Sequence, residues 1–181
     1  MLKQIYIPFT LLLSFLIYAQ KKELKSVDKL IQNEDYASAL EQLFTLQSLV
    51  EGSELKFQAQ YHFLAGKIYG EKKQFGAAFE ALALAKQLEA ENGSSKYTAE
   101  INMLLNNVSN EAINQAVYEN QNENFAVAAD LLVMVYNVDQ EQKDYLYYAA
   151  SSAVNGGDFD RALAYYQELK DMNYSGSVEK F

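Results

Sequence analysis

Residues 122–137 read NENFAVAADLLVMVYN, and 34 positions later residues 156–171 read GGDFDRALAYYQELKD. In both stretches an aromatic residue is followed by alanine at plus three and by further side chains at plus seven and plus ten: Phe125, Ala128, Leu132, Val135 and Phe159, Ala162, Tyr166, Leu169. Spacings of three, four and three place all four on one stripe of an α-helix, whose surface neighbours recur every three or four residues. The same pattern occurs at Tyr36, Ala39, Leu43, Leu46 and at Phe75, Ala78, Leu82, Ala85. Each copy is therefore expected to be the buried face of an amphipathic helix, with Tyr166 in the core.

Nine positions before each aromatic lies a small residue, Val27, Gly66, Ala116 or Ala150, which lets a preceding helix approach closely. Each unit is then a helix hairpin. Its inner turn is short and polar: Asn33-Glu34-Asp35, Lys72-Lys73-Gln74, Gln121 to Asn124, and Gly156-Gly157-Asp158. Asp158 is placed to cap the helix that follows it. The hairpins are expected at about 21–51, 53–91, 95–138 and 141–172, which makes the chain all-α. Intervals between the aromatics are 39, 50 and 34 residues. The excess in the middle falls in residues 94–121, which are free of proline and of internal glycine and read as one extended helix of roughly seven turns at about 3.6 residues per turn.

These residues resemble the tetratricopeptide (TPR) repeat, a helix pair of 34 residues. Gly66, Tyr69, Phe75, Ala78 and Ala85 follow its signature in order, and Ala150, Gly157, Phe159, Ala162 and Tyr166 follow it again. The family's proline at the end of the repeat is absent, and Glu119 stands where an aromatic is usual, with Tyr118 one place before it. With KKELK near the start and LYYAASSAVNGGDFDRALAYY later, the layout is similar to exported bacterial TPR proteins of unassigned biochemistry. The resemblance implies a right-handed α-solenoid of about four stacked hairpins that binds a peptide or partner helix in a concave groove lined by the first helix of each unit. The implied groove residues are Phe63 and Lys67 in the second hairpin and Tyr147, Ser151 and Asn155 in the fourth. Phe63 and Tyr147 either line that groove or pack against neighbouring repeats. Phe63 also stands where the chaperone-binding subfamily has a clamp lysine, which argues against capture of a C-terminal carboxylate by that route.

Bulk properties narrow the rest. Of 181 residues, half are hydrophobic and 13% aromatic, too apolar for a disordered chain. The net charge of −9, from 24 acidic and 15 basic residues, disfavours nucleic acid as a partner, because such binding draws on cationic contacts to phosphate. Residues 1–19 combine Lys3, an apolar run from Ile5 to Tyr18, and Ala19, and read as a signal peptide cleaved before Gln20. An N-terminal anchor is the rival, but the run is shorter than the ~20 residues needed to span a bilayer and Pro8 interrupts it. No stable membrane span is expected after cleavage. The absence of cysteine removes disulfides, thiolate metal sites and the lipidated cysteine of a lipoprotein.

Segments with a chemical look have plainer readings. GGDF at 156–159 resembles the signature of cyclic-dinucleotide synthases but lacks its glutamate and lies between helical patterns, so it reads as a turn. His62, the single histidine, has no nucleophile beside it in the pattern. Asp139, Glu141 and Asp144 lack the ligand spacing of a calcium loop. The cluster Tyr145, Tyr147, Tyr148, Tyr165, Tyr166 and Tyr174 is of a kind enriched at interfaces, with Tyr147 the leading candidate for an exposed ring. The expected function is a non-enzymatic protein-interaction scaffold, exported to the periplasm or secreted, with no metal or cofactor. The alternative is a glycan-binding module using the tyrosine-rich acidic face. No closing helix fits MNYSGSVEKF at the end, so the repeats are expected to continue in a longer protein or the last hairpin to associate with itself or a partner.

Overall fold

Why the chain turns back on itself is seen best at the inter-helix turns. At Glu34, Lys73, Glu123 and Gly157 the backbone is left-handed, with φ of 59°, 55°, 63° and 76°. Each lies two residues before a repeat aromatic. In the first, third and fourth turns the amide of this residue and that of the next reach back over the end of the helix: Glu34 N–H to Ile31 C=O and Asp35 N–H to Leu30 C=O, Glu123 to Asn120 and Asn124 to Glu119, Gly157 to Val154 and Asp158 to Ala153. This is the Schellman closure, which satisfies carbonyls that a helix end would leave bare. Only the fourth turn has glycine there; the others hold a long side chain in a conformation that costs it roughly 1–2 kcal/mol. Asp35 and Asp158 then cap the next helices, accepting from Ser38 N–H and Arg161 N–H.

A computed structural model describes residues 9–176, with side chains from residue 20 onward. Eight helices follow in order: α1 (Phe9–Gln32), α2 (Tyr36–Val50), α3 (Leu55–Glu71), α4 (Phe75–Glu91), α5 (Thr98–Gln121), α6 (Phe125–Val138), α7 (Asp144–Asn155) and α8 (Phe159–Asp171). No strand occurs among the described residues. The chain is all-α, and GGDF is an inter-helix turn. Part of the expected signal segment, residues 1–8, lies outside the described residues; from Phe9, α1 runs unbroken through the expected cleavage point. No helix of the described residues is long and apolar enough to cross a membrane.

The extended helix starts at Thr98 rather than near residue 94, for a reason that the sequence pattern does not carry. Glu89, only 2% exposed, accepts from Tyr97 N–H (2.8 Å) and Thr98 Oγ1–H (2.8 Å) and so fixes where α5 begins. A buried carboxylate is tolerated because its oxygens are hydrogen-bonded.

The chain divides into two compact units. The first comprises Met1–Lys72 and Glu80–Ile101, the second Lys73–Phe79 and Asn102–Phe181, so that α4 and α5 each contribute to both. In the first unit α1, α2 and α3 pack on one another. Leu24, Val27, Leu43, Leu64, Ile68 and Leu82 are almost fully buried there. A Cβ on Gly66 would lie 2.5 Å from Leu82 Cγ, so the close approach of α3 and α4 requires glycine at this position. In the second unit α6, α7 and α8 pack in sequence. Tyr136, Leu146 and Leu169 form a core with Tyr145, Tyr147, Tyr165, Met172 and Tyr174 packed on it. Tyr136 donates to Glu168 Oε1 at 3.0 Å; burial, then this acidic acceptor, holds its hydroxyl pKa above the ordinary value. Arg161 Nη1 reaches Asp130 Oδ1 at 2.6 Å and ties α8 to α6.

The repeat pattern is not uniformly buried. Ala39, Ala78, Ala128 and Ala162 are all 3% exposed or less. Phe75 is buried, whereas Tyr36 and Phe125 are half-buried. Phe159 is 67% exposed and Tyr166 37%, which corrects the expectation that both sit in the core. The reason lies in what adjoins them: α7 covers α6, but no described helix covers α8 on the corresponding side.

Candidate functional site

Packing of α7 against α6 leaves a channel beside α5. Ile113, Ala116, Val117 and Asn120 come from α5, Phe125 and Leu132 from α6, and Tyr145, Tyr148, Ser151, Ser152 and Asn155 from α7. The groove has a volume of about 410 Å³. Helical spacing explains its walls: 113, 116/117 and 120 share one face of α5, and 145, 148, 152 and 155 one face of α7. Val117 is 51% exposed and Tyr148 45%. One turn beyond Val117 on the same wall is Asn120, whose Oδ1 is buried without a hydrogen-bond partner. Buried acceptors are rarely left unpaired, since burial without a partner costs on the order of 1–3 kcal/mol.

The residues implied by the TPR resemblance divide between two places. Ser151 and Asn155 line this groove, Asn155 exposed and Ser151 half-buried. Ser151 Oγ donates to its own helix at Tyr147 C=O, 3.0 Å away. Tyr147 does not line it: it is half-buried and meets Tyr166 and Tyr148 edge-on, with centroids 6.1 and 5.9 Å apart. Of this adjacent pair the exposed ring is Tyr148, because α7 turns Tyr147 toward α8 and Tyr148 toward α5. The tyrosine rings are angled by 66° and 63° against one another and do not align into one flat platform.

Phe63 and Lys67 offer no open groove wall. Phe63 is 3% exposed and stacks on Tyr97, centroids 4.6 Å apart at 18°. Lys67 Nζ lies 2.9 Å from Glu100 Oε1 and 5.2 Å from the Phe63 ring centroid. The segment entering α5 therefore closes over α3 here, and of the two alternatives for Phe63 the structure shows packing. His62 is half-buried against Tyr61, and burial lowers its pKa. No group of acidic, histidine or cysteine side chains among the described residues is arranged to hold a metal.

Tyr148 belongs to the tyrosine cluster that the sequence singles out, but Val117 and Asn120 escaped the sequence reading because the register of α5 departs from the 34-residue pattern: Tyr118, one place before the usual aromatic site, is 58% exposed rather than packed. The period-3.6 spacing of Ile113, Val117 and Asn120 was a usable signal. In comparisons with known proteins, no family model matches the chain, and no curated protein or solved structure matches it either.

Proposed function

We propose that the protein is a non-enzymatic interaction scaffold of TPR-like hairpins, exported to the periplasm or secreted, that holds a peptide or partner helix in the groove between α5 and α7. The observation that carries this reading is the groove itself: an open apolar trough with Val117 and Tyr148 exposed on its flanks and the unpaired acceptor Asn120 Oδ1 within. Apolar side chains of a partner helix would fill the trough, the usual basis of helix-in-groove recognition. Asn120 would accept one donor from the partner and so fix its register, while Asn155 at the rim supplies a further polar contact. Signal-like residues 1–19 support export, and the hairpin pattern with left-handed turns supports the solenoid architecture.

Selection of a displayed peptide library against residues 20–181 tests the reading. The selected peptides should share an apolar core and should lose at least about tenfold in affinity, roughly 1.4 kcal/mol, when Val117→Asp or Tyr148→Ala is introduced. Peptides that bind both variants as well as the parent would place the interaction elsewhere. Retention of an aromatic-stacking oligosaccharide in preference to any peptide would support the glycan reading instead.

A further inference from the structure

A second recess lies in the first unit, away from the helix faces that the repeat pattern specifies. It has a volume of about 490 Å³ and takes Lys21 from α1, Lys56, Phe57, Ala59 and Gln60 from α3, Glu89 from α4, and Asn92, Ser94, Lys96 and Tyr97 from the α4–α5 connection. Three of the chain's 15 basic residues thus converge from three separate elements in a protein of net charge −9. Two of them, Lys21 and Lys96, have no carboxylate partner among the described residues, while Lys56 pairs with Glu54 at 2.7 Å. Glu89 does not neutralise them by contact, since its oxygens are turned inward to Tyr97 N–H, Thr98 Oγ1–H and Ser94 Oγ–H.

Aromatic rings hold two of the ammonium groups at the recess. Lys56 Nζ lies 4.9 Å from the Phe57 ring centroid and Lys96 Nζ 4.5 Å from that of Tyr97, to whose hydroxyl it also donates at 2.7 Å. Such contacts reduce the ordering cost that free lysines would meet on binding an anion. Gln60, Asn92 and Ser94 add amide and hydroxyl groups able to meet a peptide backbone, and Ala59 adds apolar floor.

We infer that this recess binds a short acidic peptide segment, one or two carboxylate side chains meeting Lys21 and Lys96 and a neighbouring apolar residue resting on Phe57 and Tyr97. The inference extends the scaffold reading to a second site with different chemistry in a different unit, and stands on different residues.

Fluorescence anisotropy with a labelled hexapeptide of alternating glutamate and leucine, and with its glutamine counterpart, tests it on the full chain. The acidic peptide should bind, should weaken as salt is raised from 50 to about 300 mM because the contacts are partly exposed, and should be favoured over the neutral peptide. Lys21→Gln and Lys96→Gln should each weaken it roughly two- to fivefold, the range of an exposed ion pair, with unchanged circular dichroism. Tyr148→Ala in the other groove should leave this binding intact, so a failure here is distinct from a failure there. Equal binding of both peptides, insensitivity to both lysine substitutions, or preference for an acidic oligosaccharide over the peptide would each overturn the assignment.

Discussion

Helices α6 and α8 carry one pattern at an interval of 34 residues and reach opposite ends. Ala129 and Leu132 of α6 are 0% and 4% exposed; their counterparts in α8, Leu163 and Tyr166, are 69% and 37% exposed. Phe125 is half-buried with its Cβ against the α7–α8 turn, 3.0 Å from where a Cβ of Gly156 would stand, while Phe159 is 67% exposed. Only the inner edge of the stripe behaves alike, Ala128 and Val135 matching Ala162 and Leu169 at 3% or less. An amphipathic pattern therefore specifies that a helix has a face to bury. It does not specify how wide a face is covered, which depends on the hairpin that follows.

The comparison breaks most readily between a buried leucine of α6 and an exposed leucine of α8. Leu132→Ala should cost about 3 kcal/mol through the cavity it leaves, and Leu163→Ala should stay within about 0.5 kcal/mol, as surface changes do; urea midpoints of the two variants measure this. Equal losses would mean that α8 is covered in solution.

A somewhat smaller effect is expected in the first unit, where the plus-seven residue points inward. Gly66→Ala should destabilise by about 1–3 kcal/mol, because Leu82, itself fully buried, cannot move away from a Cβ 2.5 Å distant. In the last hairpin alanine already stands at the corresponding position, Ala150, and the plus-seven residue Tyr166 is turned partly outward. Thermal melts of Gly66→Ala that match the parent would show that the two hairpins tolerate the same residue for another reason.

Next in size are the aromatics. Phe125→Ala should cost on the order of 2 kcal/mol for a half-buried ring and Phe159→Ala less than about 0.5. The two rings hold the same position of the repeat, so unequal losses measure coverage rather than pattern. The smallest change is at the turns: Glu123→Gly should raise stability by roughly 0.5–1 kcal/mol, since its φ of 63° suits glycine, and Gly157→Ala should lower it by a similar amount.

Much of the fold was legible. Spacings of three, four and three located α2, α4, α6 and α8, and the four polar turns fell where the backbone reverses. Helical periodicity is a local property, so a local reading recovers it. What escaped depended on partners distant in sequence. The start of α5 is set by Glu89, the burial of Phe63 by Tyr97, and the orientation of Tyr147 rather than Tyr148 toward α8 by the way α7 packs. Of the groove residues, Ser151 and Asn155 were reached through the family resemblance. Val117 and Asn120 were not, because α5 lies out of register with the repeat.

Hydrogen exchange followed by mass spectrometry, at protein concentrations low enough to exclude association, tests most directly the claim that the covering hairpin rather than the sequence stripe determines burial. Amides in α6 should exchange at least about tenfold more slowly than those in α8, because opening α6 disrupts packing on two sides and opening α8 on one. Equal protection along the two helices, or slower exchange in α8, would contradict the account.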